Sequence, residues 1–304
     1  MTPPINTLFP VDLFNPLARE HRLNVGRTMW LLAIPEWSGG LFFQDLASGF
    51  QSTTGVNTRV CGIINLFGGA GDGWRNDYRP GGGRSVALDG TVNDYIQLHD
   101  GFGNSNLSTL MSASAGTIAA WVRVTMTAAS GGNAYALPNI LGDGANNFWG
   151  LHVGTISGTT GIWAYAWDGA EKRVSGPYTQ NAWTRAVWVH AGGNLLLYLN
   201  GVPAGSVAAG AVSTTNLAAT LGDPSTGHFS GQVDDVACWN RGLSAAEVLD
   251  DYLEGIAGYP GVLNRVTPLG SFSLQPGAPS AGGPVIGSRV VQGVAQAGMI
   301  KGAA

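Results

Sequence analysis

From about residue 26 to residue 254 the chain runs in short stretches of β-branched and aromatic residues, each closed by Gly, Asn or Asp. Punctuation at that spacing builds strands and hairpins rather than long helices. Glycine supplies most of the stops: 47 of 304 residues, roughly double ordinary usage, with no Gly-X-Y period that would make collagen. The clearest strands cover residues 117–124 (TIAAWVRV), 186–191 (AVWVHA) and 194–199 (NLLLYL), the last running into the hairpin dipeptide Asn200-Gly201. Residues 161–168 (GIWAYAWD) alternate strictly, placing Trp163, Tyr165 and Trp167 on one face and Ile162, Ala164 and Ala166 on the other. The pattern predicts an all-β protein.

One helix interrupts it. Leu243-Ser244-Ala245-Ala246-Glu247-Val248 offers a capping box from Ser244 to Glu247, with Leu243 and Val248 as its hydrophobic staple. Gly255 suits a left-handed helix end, and Val248, Leu249, Tyr252 and Leu253 form an apolar stripe for docking on the sandwich. The ends differ in composition from this body. Residues 1–25 carry four prolines and few strand signals, and read as an N-terminal arm. Residues 255–304 hold 11 glycines and no acidic side chain, so the net charge of −4 divides into +3 for this C-terminal arm and −7 for the rest. The body, 26–254, reads as one domain.

Charge narrows the partners. Charged residues make up 11% of the chain, and lysine occurs only at Lys172 and Lys301. No basic field invites nucleic acid and no polybasic segment addresses an anionic membrane. The apolar runs are far shorter than the 18 or so residues that span a bilayer. The first residues lack the basic and apolar regions of a secretory signal, so synthesis in the cytoplasm is expected. Two cysteines, Cys61 and Cys238, provide neither a disulfide framework nor a structural zinc site.

Several segments in order resemble the concanavalin A-like jelly rolls of the laminin-G and pentraxin type. They are residues 85–98 (SVALDGTVNDYIQL), 117–124, 183–201 (WTRAVWVHAGGNLLLYLNG) and 229–248 (FSGQVDDVACWNRGLSAAEV). Residues 30–49, with Asp45-Leu46-Ala47-Ser48-Gly49, resemble the family's first strand and its Asp-x-Ser-Gly turn. The resemblance implies two antiparallel sheets packed face to face, and it implies no single function.

Catalysis, calcium and glycan are the chemistries to test. Retaining hydrolases of this architecture place paired carboxylates about 5 Å apart on one sheet face. The five glutamates, Glu20, Glu36, Glu171, Glu247 and Glu254, show no such spacing, and Asp234 and Asp235, adjacent on a strand, are expected to point to opposite faces. The five histidines show no metal-ligand spacing. The chain reads as non-catalytic. Calcium has candidate oxygen ligands in Asp89, Asn93 and Asp94, or in Asp72, Asn76 and Asp77, although Asx clusters in Gly-rich loops also form turns by bonding their own backbone. A glycan platform is offered by Trp163, Tyr165 and Trp167, with Trp149, Asn146 and Asn147 nearby in sequence. The competing reading, which is preferred, buries the three aromatics between the sheets.

The arms then suggest assembly. Residues 284–294 (PVIGSRVVQGV) suit strand addition to a neighbour's sheet edge. With no catalytic set and no export signal, the expected role is a bacteriophage virion structural protein, a capsid decoration or a tail or fibre component. Its partners would be other virion proteins or copies of itself, bound through the arms. The alternative is a carbohydrate-binding, lectin-like module at a bacterial cell surface, with cell-surface glycan as partner.

Overall fold

A computed structural model describes residues 22–31, 42–44, 60–64, 73–75, 79–82, 85–90, 95–99, 111–126, 130–131, 134, 137–143, 149–212, 219–222 and 228–257. They lie within one compact unit, Glu20–Gly258. The strands in chain order begin with β1 (Arg27–Leu31), β2 (Phe42–Gln44), β3 (Val60–Ile64), β4 (Gly73–Arg75), β5 (Ser85–Asp89) and β6 (Tyr95–His99). They continue with β7 (Gly116–Val124), β8 (Ser130–Gly131), β9 (Asn139–Asp143), β10 (Trp149–Ile156), β11 (Thr159–Trp167) and β12 (Glu171–Gly176). The last are β13 (Trp183–Ala191), β14 (Asn194–Leu199), β15 (Val202–Ala208), β16 (Ala219–Leu221) and β17 (Ser230–Trp239), before the helix α1 (Ala245–Ala257).

Two sheets result. The eight-stranded sheet runs β15-β14-β13-β7-β17-β5-β4, with β1 on β17, and the nine-stranded sheet runs β12-β11-β10-β9-β16-β6-β3-β2, with β8 on β10. Pairing is antiparallel except between β8 and β10. Hairpin chemistry fixes the register of the best-ordered part. Asn200 and Gly201 both take positive φ between β14 and β15, as the dipeptide requires, and Ser157-Gly158 and Gly192-Gly193 do the same at the β10–β11 and β13–β14 turns.

Between the sheets, Ile118, Ala120, Val122 and Val124 of β7, Ala186 and Trp188 of β13, and Leu195 and Leu197 of β14 meet Trp149, Leu151 and Val153 of β10. Trp149 and Trp188 lie 6.4 Å apart in this core, and Trp188 Nε1 donates across the interface to the Tyr165 carbonyl at 2.8 Å. Cys238 packs in the same core and forms no disulfide. The face that β11 turns inward is the small one, Ile162, Ala164 and Ala166. This corrects the expectation that its aromatic face fills the sandwich. Two indoles already occupy that space, and close packing leaves room opposite them for the smaller of the two faces.

The helix covers the other side of the eight-stranded sheet. Its capping box forms as expected: Glu247 N–H donates to Ser244 Oγ at 3.3 Å and Ser244 N–H donates to Glu247 Oε2 at 2.9 Å. Leu243 and Val248 are buried. The docking face differs from the expected stripe, because Val248, Asp251 and Gly255 are buried while Leu249 and Leu253 are exposed. Gly255 does not end the helix. It lies within the last turn, where a Cβ would stand 2.7 Å from Trp121 Nε1, so glycine permits the close approach. Trp121 of β7 is buried here, stacked on Tyr252 at 5.7 Å.

Beneath α1 lies a sealed ionic network. Arg79 Nε donates to Asp234 Oδ2 at 2.7 Å and Arg185 grips Asp251 with two bonds of 2.8 and 3.0 Å, all four side chains being essentially inaccessible. Arg185 also donates to the Asp235 carbonyl, and Trp30 Nε1 donates to Asp235 Oδ1 at 2.7 Å. Asp234 and Asp235 therefore serve one side of the sheet, against expectation. The register of β17 on β7 slips between Asp234 and Ala237, and Asp235 takes φ +50, so a bulge cancels the alternation.

Candidate functional site

The aromatic ladder of β11 is on the outward face of the nine-stranded sheet. Register aligns it with β12 on one side, Trp163 with Ser175, Tyr165 with Arg173 and Trp167 with Glu171. On the other side His152 faces Trp163 and Gly150 faces Tyr165. Trp163 and Tyr165 are buried with Ala134, Leu137 and Ile156 in a second, small apolar cluster. Polar bonds hold that cover down: Ala134 N–H donates to Glu171 Oε1 at 2.9 Å, and His152 Nδ1 lies 3.1 Å from the Leu137 carbonyl. Trp163 Nε1 donates to the Gly154 carbonyl at 3.1 Å.

Trp167, at the end of the ladder, is 37% exposed, the one aromatic among the exposed large apolar side chains of the described residues. Its surroundings are built. Glu171 Oε1 also accepts from Arg173 Nη1 at 3.0 Å, and the Arg173 guanidinium lies 5.8 Å from the Trp163 ring centre. In the turn that follows, Asp168 Oδ2 accepts the Gly210 N–H at 2.6 Å and Oδ1 lies 3.7 Å from Lys172 Nζ. The Gly210 N–H, chiefly, holds the Asp168 carboxyl below its ordinary value. An indole at a rigid sheet rim with a carboxylate and a guanidinium beside it can stack on a sugar face and bond its hydroxyls.

The structure divides the four aromatics named from sequence. Trp149 is wholly buried between the sheets, which removes it from the glycan set. Trp163 and Tyr165 lie beneath the cover, and Trp167 alone presents an open surface. Asn146 and Asn147 lie outside the described residues, as do Asn93, Asp94, Asp72, Asn76 and Asp77. Asp89 closes β5 opposite Ser230. Among the described residues no group of three or more His, Cys, Asp or Glu side chains is arranged to hold a metal. Sequence reasoning missed Glu171 and Arg173. The signal was present in the Asp168-Gly169 turn, which folds β12 back on β11 and fixes their cross-strand partners.

A laminin-G-type family model, described as the concanavalin A-like lectin/glucanases superfamily, matches residues 89–249, more than half of the chain. The chain belongs to this superfamily. Solved structures share the fold. The binding domain of Paraclostridial Mosquitocidal Protein 1 aligns with TM-score 0.50 and 17% identity over 76% of this chain and 52% of that one. A structure of botulinum neurotoxin type C, whose passage into cells is dependent upon interaction with two ganglioside molecules, aligns with TM-score 0.52 and 12% identity over 77% and 52%. The binding domain of botulinum neurotoxin DC in complex with rat synaptotagmin II gives TM-score 0.50 and 12% identity over 77% and 52%. The chain spans about half the length of these structures. A search of curated proteins finds no match. The fold is thus a two-sheet jelly-roll sandwich, with one short α-helix among the described residues.

Proposed function

We propose that this protein is a non-catalytic glycan-binding module whose contact surface is the outward rim of the nine-stranded sheet, centred on Trp167 with Glu171 and Arg173. The exposure of Trp167 carries this reading: its two companions on β11 are at most 7% exposed, and it is 37% exposed. Membership in a lectin and glucanase superfamily supports it. The glucanase half is disfavoured by the state of the carboxylates. Asp234 and Asp235 share a side of the sheet but are inaccessible beneath α1 and salt-bridged to Arg79 and Arg185, and Glu171 is held by Arg173. A glycan array probed with the intact chain and with Trp167→Ala tests the module: spots bound by the first and lost by the second support it, and a blank array or equal binding refutes it.

The acid-free composition of residues 255–304 favours a second, compatible reading. In it the module is a structural component of a bacteriophage virion, a capsid decoration or a tail or fibre protein, joined to neighbouring subunits or to its own copies through residues 1–25 and 255–304. Copurification with particles tests that placement, with a bacterial cell surface as the contrary location.

A further inference from the structure

Resting on the glycan reading of the Trp167 rim, we propose that the site is built for neutral sugars and discriminates against glycans that carry carboxylate or sulfate groups. Charge at the rim is already paired. The Arg173 guanidinium lies near the Trp163 ring and donates to Glu171, and Lys172 sits beside Asp168. Two cations thus answer two carboxylates, and the Asp168 carboxyl keeps its charge because the Gly210 N–H donates to it. Recognition of an anionic sugar calls for surplus Arg or Lys, or for converging backbone N–H groups aimed at the ligand. Arg173, the guanidinium on this face of β12, is committed to Glu171 and to the Trp163 ring.

The residue directly across the ladder from Trp167 is instead Glu171, which sets the two Cβ atoms roughly 5 Å apart and puts a carboxylate on the same face as the indole. Oε1 of Glu171 is engaged by Ala134 N–H and Arg173 Nη1. Its other oxygen takes no partner among the described residues and is an acceptor for a sugar hydroxyl. A neutral pyranose or furanose stacked on Trp167 gains that bond. A sialic acid, uronic acid or sulfate in the same position brings a second negative charge against Glu171 at a partly exposed site, where like charges cost enough to weaken binding roughly tenfold.

The test uses the intact chain on an array that pairs neutral oligosaccharides with the same glycans bearing sialic acid, uronic acid or sulfate, followed by calorimetric titration of each bound pair. The expected result is that neutral members bind, that acidic partners bind roughly tenfold more weakly, and that the gap shrinks in high salt as screening increases. Glu171→Gln, which keeps an acceptor oxygen for Ala134, narrows the gap to within about threefold. Its melting temperature is read alongside, and if it fails to fold, the salt dependence of the wild-type gap decides. Preference for the acidic members, or a gap indifferent to both salt and Glu171→Gln, overturns the inference and leaves the glycan module standing. Silence of the whole array overturns both.

Discussion

Trp163, Tyr165 and Trp167 share one face of β11, yet removing each has a different consequence. Tyr165 is 1% exposed and contacts His152 edge to face at 5.8 Å. Tyr165→Ala empties the small outer cluster and is expected to lower stability by about 3–5 kcal/mol in chemical denaturation. Trp167→Ala removes a ring that is 37% exposed and is expected to cost less, about 1–2 kcal/mol. The ladder itself was legible, because alternation is a local property. Which face it turned to the other sheet was not, because alternation has no sign; Trp149 and Trp188, from β10 and β13, settle it by filling the interior. Gly255 is a second residue whose role depends on a distant partner. Gly255→Ala drives a methyl group toward the Trp121 ring and is expected to lose about 1–3 kcal/mol, read as a lower denaturation midpoint.

The helix and the strand beneath it show the same division between local and distant causes. Ser244, Glu247, Leu243 and Val248 fall within six residues, so the helix start was readable and forms as read. The docking face was not, since the buried position Asp251 has its partner Arg185 66 residues away and the apolar Leu249 and Leu253 remain outside. Nor was the β17 bulge, which pairs each aspartate with an arginine from another part of the chain. Two outcomes follow from these contacts. Arg185→Met leaves Asp235 and Asp251 buried without their counter-charge, and denaturation should show a loss of about 3–5 kcal/mol. Glu247 has a pKa lowered to about 2 from 4.5, chiefly by the hydrogen bond from Arg241. Its folded value lies below its unfolded one, so its contribution is fully present above about pH 4.5 and is lost as pH falls through about 2. Glu247→Gln should flatten the acid limb of the stability curve across that window.

At the scale of the molecule, the superfamily was legible because its landmarks are strands of the central sheets, where burial dictates residue type. The binding rim was legible only in part, because Glu171 and Arg173 become site residues through cross-strand register and through the cover they hold. The family match ends at residue 249 and the compact unit at Gly258, so deleting residues 259–304 is expected to leave the melting temperature of the sandwich unchanged. On the virion reading, the same deletion abolishes incorporation into particles, measured by copurification. The glycan module is tested most directly by measuring the dissociation constant for the strongest array glycan and the melting temperature together, on the wild-type chain and on Trp167→Ala. The predicted result is roughly thirtyfold or greater weakening of binding by a variant that is still fully folded at the assay temperature. Unchanged affinity, or affinity that falls only in step with unfolding, would contradict it.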